Sequence, residues 1–158
     1  DFIVSGKTGK GILLVVADRK GRIAFLERLL HISTAAVEAA LRRIKKRFPE
    51  LTTITTDNDL LFQHHRELER VLQIRIYFCH PYSSWEKGTV ENVNKQIRRD
   101  IPKGSDLSRY SRRCIRNLED KLNRRPLKCL NYKTPAEVLG QYRKNAKKRS
   151  RAFGKKKS

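Results

Sequence analysis

Apolar and polar positions along this chain change period several times, and each change marks an element. Residues 2–4 are apolar after Asp1, and Ser5 to Gly11 reads as a glycine–lysine turn. Ile12-Leu-Leu-Val-Val-Ala17 is an unbroken apolar run rich in β-branched residues, the pattern of a strand buried on both faces. Asp18 to Gly21 predicts a turn, and the alternation of Arg22 to Glu27 predicts a third strand. Ser33 or Thr34 caps a helix with Val37, Ala40, Leu41, Ile44 and Phe48 on its inner face, stopped by Pro49. Leu51 to Thr56 is short and β-branched, hence a strand, with Asp57 and Asn58 at its carboxyl end.

A second helix is predicted over residues 63–72, with Leu68, Val71 and Leu72 inward, and a strand over 74–79. An aromatic, proline-containing loop from His80 then enters a helix whose Val90, Val93 and Ile97 share one face. Residues 102–105 break the chain, and Leu107 to Asn123 reads as a helix that Arg124-Arg125-Pro126 ends. Thr134 and Pro135 open a short helix to Leu139. Five strands interleaved with helices predict an α/β fold, a mixed five-stranded sheet flanked by helices over residues 1–139.

Charge changes the picture most. The chain carries 37 Lys and Arg against 16 Asp and Glu, a net charge of +21. Such an excess points to a polyanionic partner, of which nucleic acid is the commonest. An anionic membrane is the competing partner, but it requires a cationic helix with large apolar side chains opposite. The most basic segment, residues 142–158, lacks that face, and residues 140–158 are expected to be a tail that is disordered or ordered only on DNA. No apolar run reaches the length of a membrane span and no signal peptide opens the chain. The start at Asp1 and the lack of methionine are expected of a piece of a longer product. Cys79, Cys114 and Cys129 have neither zinc-ligand spacing nor close partners, and read as reduced thiols in a cytoplasmic protein.

Candidate chemistry centres on the helix after residue 87. Glu91, Lys95 and Arg98 make a polar stripe beside its apolar one, which fits either a solvated face with salt bridges or a site. Asp57 ends a strand, Asp1 opens the first, and Glu91 lies on a helix after the last. Three carboxylates brought together repel unless a cation offsets them, and Mg²⁺ is bound by few carboxylates, waters and phosphate oxygens. Asp57-Asn58-Asp59 reads equally well as a turn, and Asp1 as a terminal residue.

At this point the chain resembles a known family, the DDE transposases of bacterial insertion sequences, specifically the IS-thirty family. The resemblance rests on Asp1 with the following Gly-Lys-x-x-Lys-Gly, Val16 to Arg22, Thr56-Asp57-Asn58, and His80-Pro-Tyr-Ser-Ser-Trp-Glu-Lys-Gly-Thr-Val-Glu-Asn92. It continues through Ile101-Pro-Lys-Gly104, Leu122 to Pro126 and Lys128 to Glu137. It implies a ribonuclease-H-like fold and metal-dependent cleavage and transfer of DNA strands at transposon ends. It also implies Asp1, Asp57 and Glu91 as catalytic residues and ligands of two Mg²⁺, with Mn²⁺ as a substitute, 33 residues separating Asp57 from Glu91. Lys87, Lys95, Arg98 and Arg99 are the expected DNA contacts, with Arg98 seven positions after Glu91; Tyr82 and Trp85 either touch DNA or cap the core.

The implied partners are terminal inverted repeats, target DNA and further copies of the chain, with no membrane, in the bacterial cytoplasm at the nucleoid. Two departures stand out: Asp59 replaces the family's glycine after Asp57-Asn58, and Asn131 replaces a glycine before Tyr132. A basic nucleic-acid-binding module derived from such a core but lacking catalysis is the alternative reading.

Overall fold

The computed structural model describes residues 1–7, 9–31, 33–57, 62, 65–80 and 88–154, with side chains described to Arg149. Its strands are β1 (Phe2–Val4), β2 (Ile12–Ala17), β3 (Ala24–Leu29), β4 (Thr53–Thr56) and β5 (Arg75–Phe78). Its α-helices are α1 (Thr34–Arg47), α2 (His65–Leu72), α3 (Gly88–Asp100), α4 (Arg112–Asn123) and α5 (Pro135–Gly154). The architecture is the expected α/β arrangement of five strands, but their hydrogen bonds run in two groups. β1, β2 and β3 form an antiparallel sheet, while β4 and β5 pair in parallel across the α2 crossover.

β2 is buried on both faces, as its unbroken apolar run predicts. Leu14 joins a core with Phe25, Leu41, Ile44, Phe62, Leu68 and Ile76. Leu13 and Val15 join a second core with Ile3, Leu26, Ile97, Ile101, Leu107 and Ile115. The sheet thus has α1 on one side and α3 with α4 on the other.

Several boundaries differ from those expected. β3 starts at Ala24 rather than Arg22, because the preceding turn is longer: the Asp18 N–H donates to Ile23 O at 2.8 Å and Asp18 Oδ2 accepts from the Gly21 N–H. The helix predicted over 107–123 is interrupted at Tyr110, where Ser111 Oγ accepts from the Cys114 N–H and starts α4 afresh. The last helix runs beyond its expected end at Leu139. α5 runs unbroken to Gly154, since Gln141 to Ala152 contains good helix formers and no proline. Arg143 ties it to the end of α1, donating to Glu50 at 2.7 and 2.9 Å and to Arg47 O at 3.0 Å, and holds the Glu50 carboxyl below its ordinary value.

Gly6 explains part of the sequence pattern. A Cβ there would stand 2.5 Å from Gly104 O, so the glycine–lysine turn and residues 102–108 pack backbone to backbone. Ser5 Oγ accepts from the Leu107 N–H at 3.0 Å and Asp106 Oδ1 from the Lys10 N–H at 3.0 Å. Two motifs nearly a hundred residues apart are therefore one structural corner. Asn131 has φ 52° and ψ 47°, the left-handed conformation that glycine adopts most easily and asparagine tolerates best among the others. The substitution at 131 suits that geometry.

α4 covers the free edge of β3. Asn123 exchanges hydrogen bonds with the Ala24 main chain at 2.8 and 2.7 Å, and Glu119 Oε2 accepts from the Leu26 N–H at 2.6 Å. Glu119 Oε1 also meets Arg47 at 2.6 Å and Arg116 at 2.9 Å, while Arg47 reaches Glu27 of β3 at 3.0 Å. Burial pushes the Glu119 carboxyl up from 4.5 to about 7, against the pull of the Leu26 N–H and Arg116. A folded value above the unfolded one means that the contribution is complete below about pH 4.5 and is lost as pH rises through about 7. Urea denaturation across that window is expected to show a smaller fall in stability for Glu119→Gln than for the unaltered chain. An identical fall in both would assign the titration to another group.

Candidate active site

The site is assembled by α3. Ile97 is fully buried and, with Val90 and Val93 beside it, packs on the Leu13 and Val15 face of β2. That packing fixes the helix rotation. Glu91, in the first turn, is left exposed, where a carboxylate also suits the positive end of the helix dipole. Asn94, one turn on, is half-buried and directed at the sheet, where its Nδ2 donates to Asp1 Oδ2 at 2.6 Å.

Asp1 is held by its main chain as well. It extends the β1–β2 ladder by one residue, its N donating to Val15 O at 3.0 Å and its O accepting from the Val15 N–H at 2.9 Å. Asp57 follows the buried Thr56 at the carboxyl end of β4 and is exposed. Thr56 O accepts from the Cys79 N–H at 2.8 Å, tying that end to the chain leaving β5.

A cavity of about 190 Å³ is lined by Asp1, the end of β2, Asp18, residues 53–56 of β4, and Thr89 and Val90 of α3. It thus brings Asp1 together with the immediate chain neighbours of Asp57 and of Glu91. Among the described residues, no three His, Cys, Asp or Glu side chains are grouped closely enough to hold a metal ion. The carboxylates of Asp1, Asp57 and Glu91 are hard oxygen donors of the type Mg²⁺ takes, and that of Asp1 is held by the Asn94 amide. Asn94 Oδ1, beside Asp1, is buried with no hydrogen-bond partner among the described residues, an acceptor that the water of a cation at Asp1 would satisfy.

The expected DNA contacts divide. Lys95 and Arg99 are exposed on α3. Arg98 is half-buried and bridges to the main chain, donating to Pro102 O at 3.3 Å and Val4 O at 3.5 Å. Tyr82, Trp85, Lys87 and Asp59 lie outside the described residues. Sequence reasoning missed Asn94 as the residue that orients Asp1. Its signal was its place three residues after Glu91, on the same side of the helix.

The chain is 41% identical over 143 residues to the transposase for insertion sequence element IS4351 of Bacteroides fragilis, an alignment covering 87% of this chain and 43% of that protein. It is 34% identical over 139 residues to the transposase InsI for insertion sequence element IS30A of Escherichia coli strain K12, covering 87% of this chain and 36% of that one. The chain therefore spans less than half the length of these relatives. Among solved structures, the catalytic core domain of BIV integrase superposes with a TM-score of 0.68 at 15% identity, covering 92% of this chain and 94% of that domain. That likeness establishes the ribonuclease-H-like fold. No protein-family model matches the chain.

If Asn94 orients a metal-ligating carboxylate, Asn94→Ala is expected to weaken divalent-cation binding about 10–100-fold, as loss of a ligand's outer partner does elsewhere. Calorimetric titration of the folded variant with Mn²⁺ checks this, and unchanged affinity would remove Asn94 from the site.

Proposed function

The chain belongs to the IS-thirty family of insertion-sequence transposases, and we propose that it is the catalytic core with which such an enzyme cuts and joins DNA at the ends of its element. The observation that carries this reading is the shared cavity of Asp1, β4 and the first turn of α3, with Asp57 and Glu91 one residue beyond its lining.

Asp1, Asp57 and Glu91 would hold two Mg²⁺, or Mn²⁺ in their place. When bound, such ions polarise phosphoryl oxygens and lower the pKa of an attacking water. The chain's own residues do the positioning. Asn94 keeps one Asp1 oxygen engaged and directs the carboxylate toward α3. Lys95, Arg98 and Arg99 continue from Glu91 along the helix, an array that suits a phosphate backbone running past the site. Lys87, Tyr82 and Trp85 extend the same proposal into the preceding loop.

In cleavage, a water oxygen attacks phosphorus in line and the DNA 3′ oxygen departs, taking up a proton to become a hydroxyl. In transfer, that 3′ hydroxyl attacks a target phosphodiester and the target's 3′ oxygen departs. One bond to phosphorus forms and one breaks at each step, with no covalent protein intermediate. Joining two element ends in one event calls for more than one copy of the chain, working on DNA at the nucleoid. Among the described residues, no helix is long and apolar enough to cross a membrane.

Glu91→Gln is expected to lower Mg²⁺-dependent cleavage of terminal-inverted-repeat DNA on the order of a thousandfold, corresponding to the several kcal/mol that metal charge supplies, while DNA binding persists. A gel assay of 3′ hydroxyl formation reads this. Equal cleavage by both proteins would remove Glu91 from the chemistry. Binding by both with cleavage by neither would favour the non-catalytic binding module.

A further inference from the structure

α3 borders a second groove, which shares Thr89 with the Asp1 cavity. It has a volume of about 290 Å³ and runs between α3 and the segment that follows α4. Its lining includes Arg22, Thr89, Asn92, Gln96, Arg125 and Cys129, and its described lining contains no carboxylate.

The two arginines are positioned rather than loose. Arg22 has φ 59°, a left-handed conformation that non-glycine residues rarely adopt. The turn that begins at Asp18 imposes it, and the guanidinium donates to Thr89 Oγ1 at 2.6 Å. Such a conformation is strained and persists where the surroundings enforce it, often at functional sites. Arg125 stands where α4 has ended, and its Nη1 donates to Gln96 Oε1 on α3. Each of these bonds is to a neutral acceptor, so neither guanidinium charge is neutralised by the contact that orients it. Asn92 and Gln96 lie one turn apart on the same side of α3 and add amide groups between the arginines.

We propose that this groove is a phosphodiester-binding subsite in which Arg22 and Arg125 grip a nucleic-acid backbone and set its register on the adjoining carboxylate site. Planar guanidiniums held by neutral acceptors suit bidentate bonds to phosphate oxygens. Thr89 lines both the groove and the Asp1 cavity, so a strand held here passes directly to the reacting carboxylates. Arg22 and Arg125 are positioning residues, and their role rests on the transposase-core reading above.

The cysteines provide a footprint. Cys129 lines the groove and is exposed; Cys114 is also exposed but lies in the first turn of α4, nine residues from the Asn123 that borders the groove. With the full chain and a duplex oligonucleotide of arbitrary sequence, DNA is expected to slow maleimide alkylation of Cys129 and leave Cys114 unchanged. Arg22→Gln and Arg125→Gln are each expected to lower the slope of log affinity against log salt by about one. Both should retain the far-ultraviolet dichroism of the unaltered chain. Binding that persists with unprotected Cys129 and unchanged slopes in both variants would overturn the groove and leave the cleavage reading standing. Failure to bind DNA at any salt concentration would overturn both.

Discussion

The whole arrangement depends on β2 being buried on both faces. Leu14 faces the core built by α1, α2 and β5, while Leu13 and Val15 face the one built by α3 and α4. A strand with only one apolar face would leave α3 without a seat. Because Ile97 is fully buried against this strand, the rotation and depth of α3 are set by packing, whose geometry tolerates little adjustment. Glu91, Asn94, Asn92 and Gln96 then take their directions from that seat, and the two grooves that share Thr89 follow.

Electrostatics divides the molecule into parts with different tasks. A net charge of +21 is an asset for holding a polyanion and a liability for folding, since like charges repel in the compact state. The fold consumes part of that charge internally. Arg43 and Arg47 pair with the buried Glu27, Arg47 and Arg116 with the buried Glu119, and Arg143 with Glu50. These pairs join α1, β3, α4 and α5, with the desolvation of two carboxylates as their cost. Arg98 of α3, Arg22 and Arg125 have other surroundings: they donate to main-chain or neutral side-chain acceptors.

Much of this was legible in the sequence. The unbroken run at 12–17 gave the doubly buried strand, and the spacing of Val90, Val93 and Ile97 gave the seated face of α3. Other features depend on contacts that periodicity does not register. The start of β3 moved because the turn from Asp18 is closed by side-chain and main-chain bonds. The reach of α5 was hidden by its charge, which reads as disorder until Arg143 is seen docked on Glu50. Asn94 has no signature of its own; its role exists only because a strand ninety-odd residues earlier lies beneath it. Glycine 6 and the loop at 104 were visible as motifs, but their purpose as a single corner was not.

On the frame set by β2 and α3, we propose that Asp1, Asp57 and Glu91 form one cation site. The most direct measurement is anomalous diffraction from crystals of the protein grown with Mn²⁺. The expected result is anomalous density within coordination distance of the Asp1 and Asp57 carboxylates, with Glu91 joining the same site. Manganese bound elsewhere, at Asp18 for instance, or no ordered manganese near Asp1 at saturating concentration, would contradict the assignment.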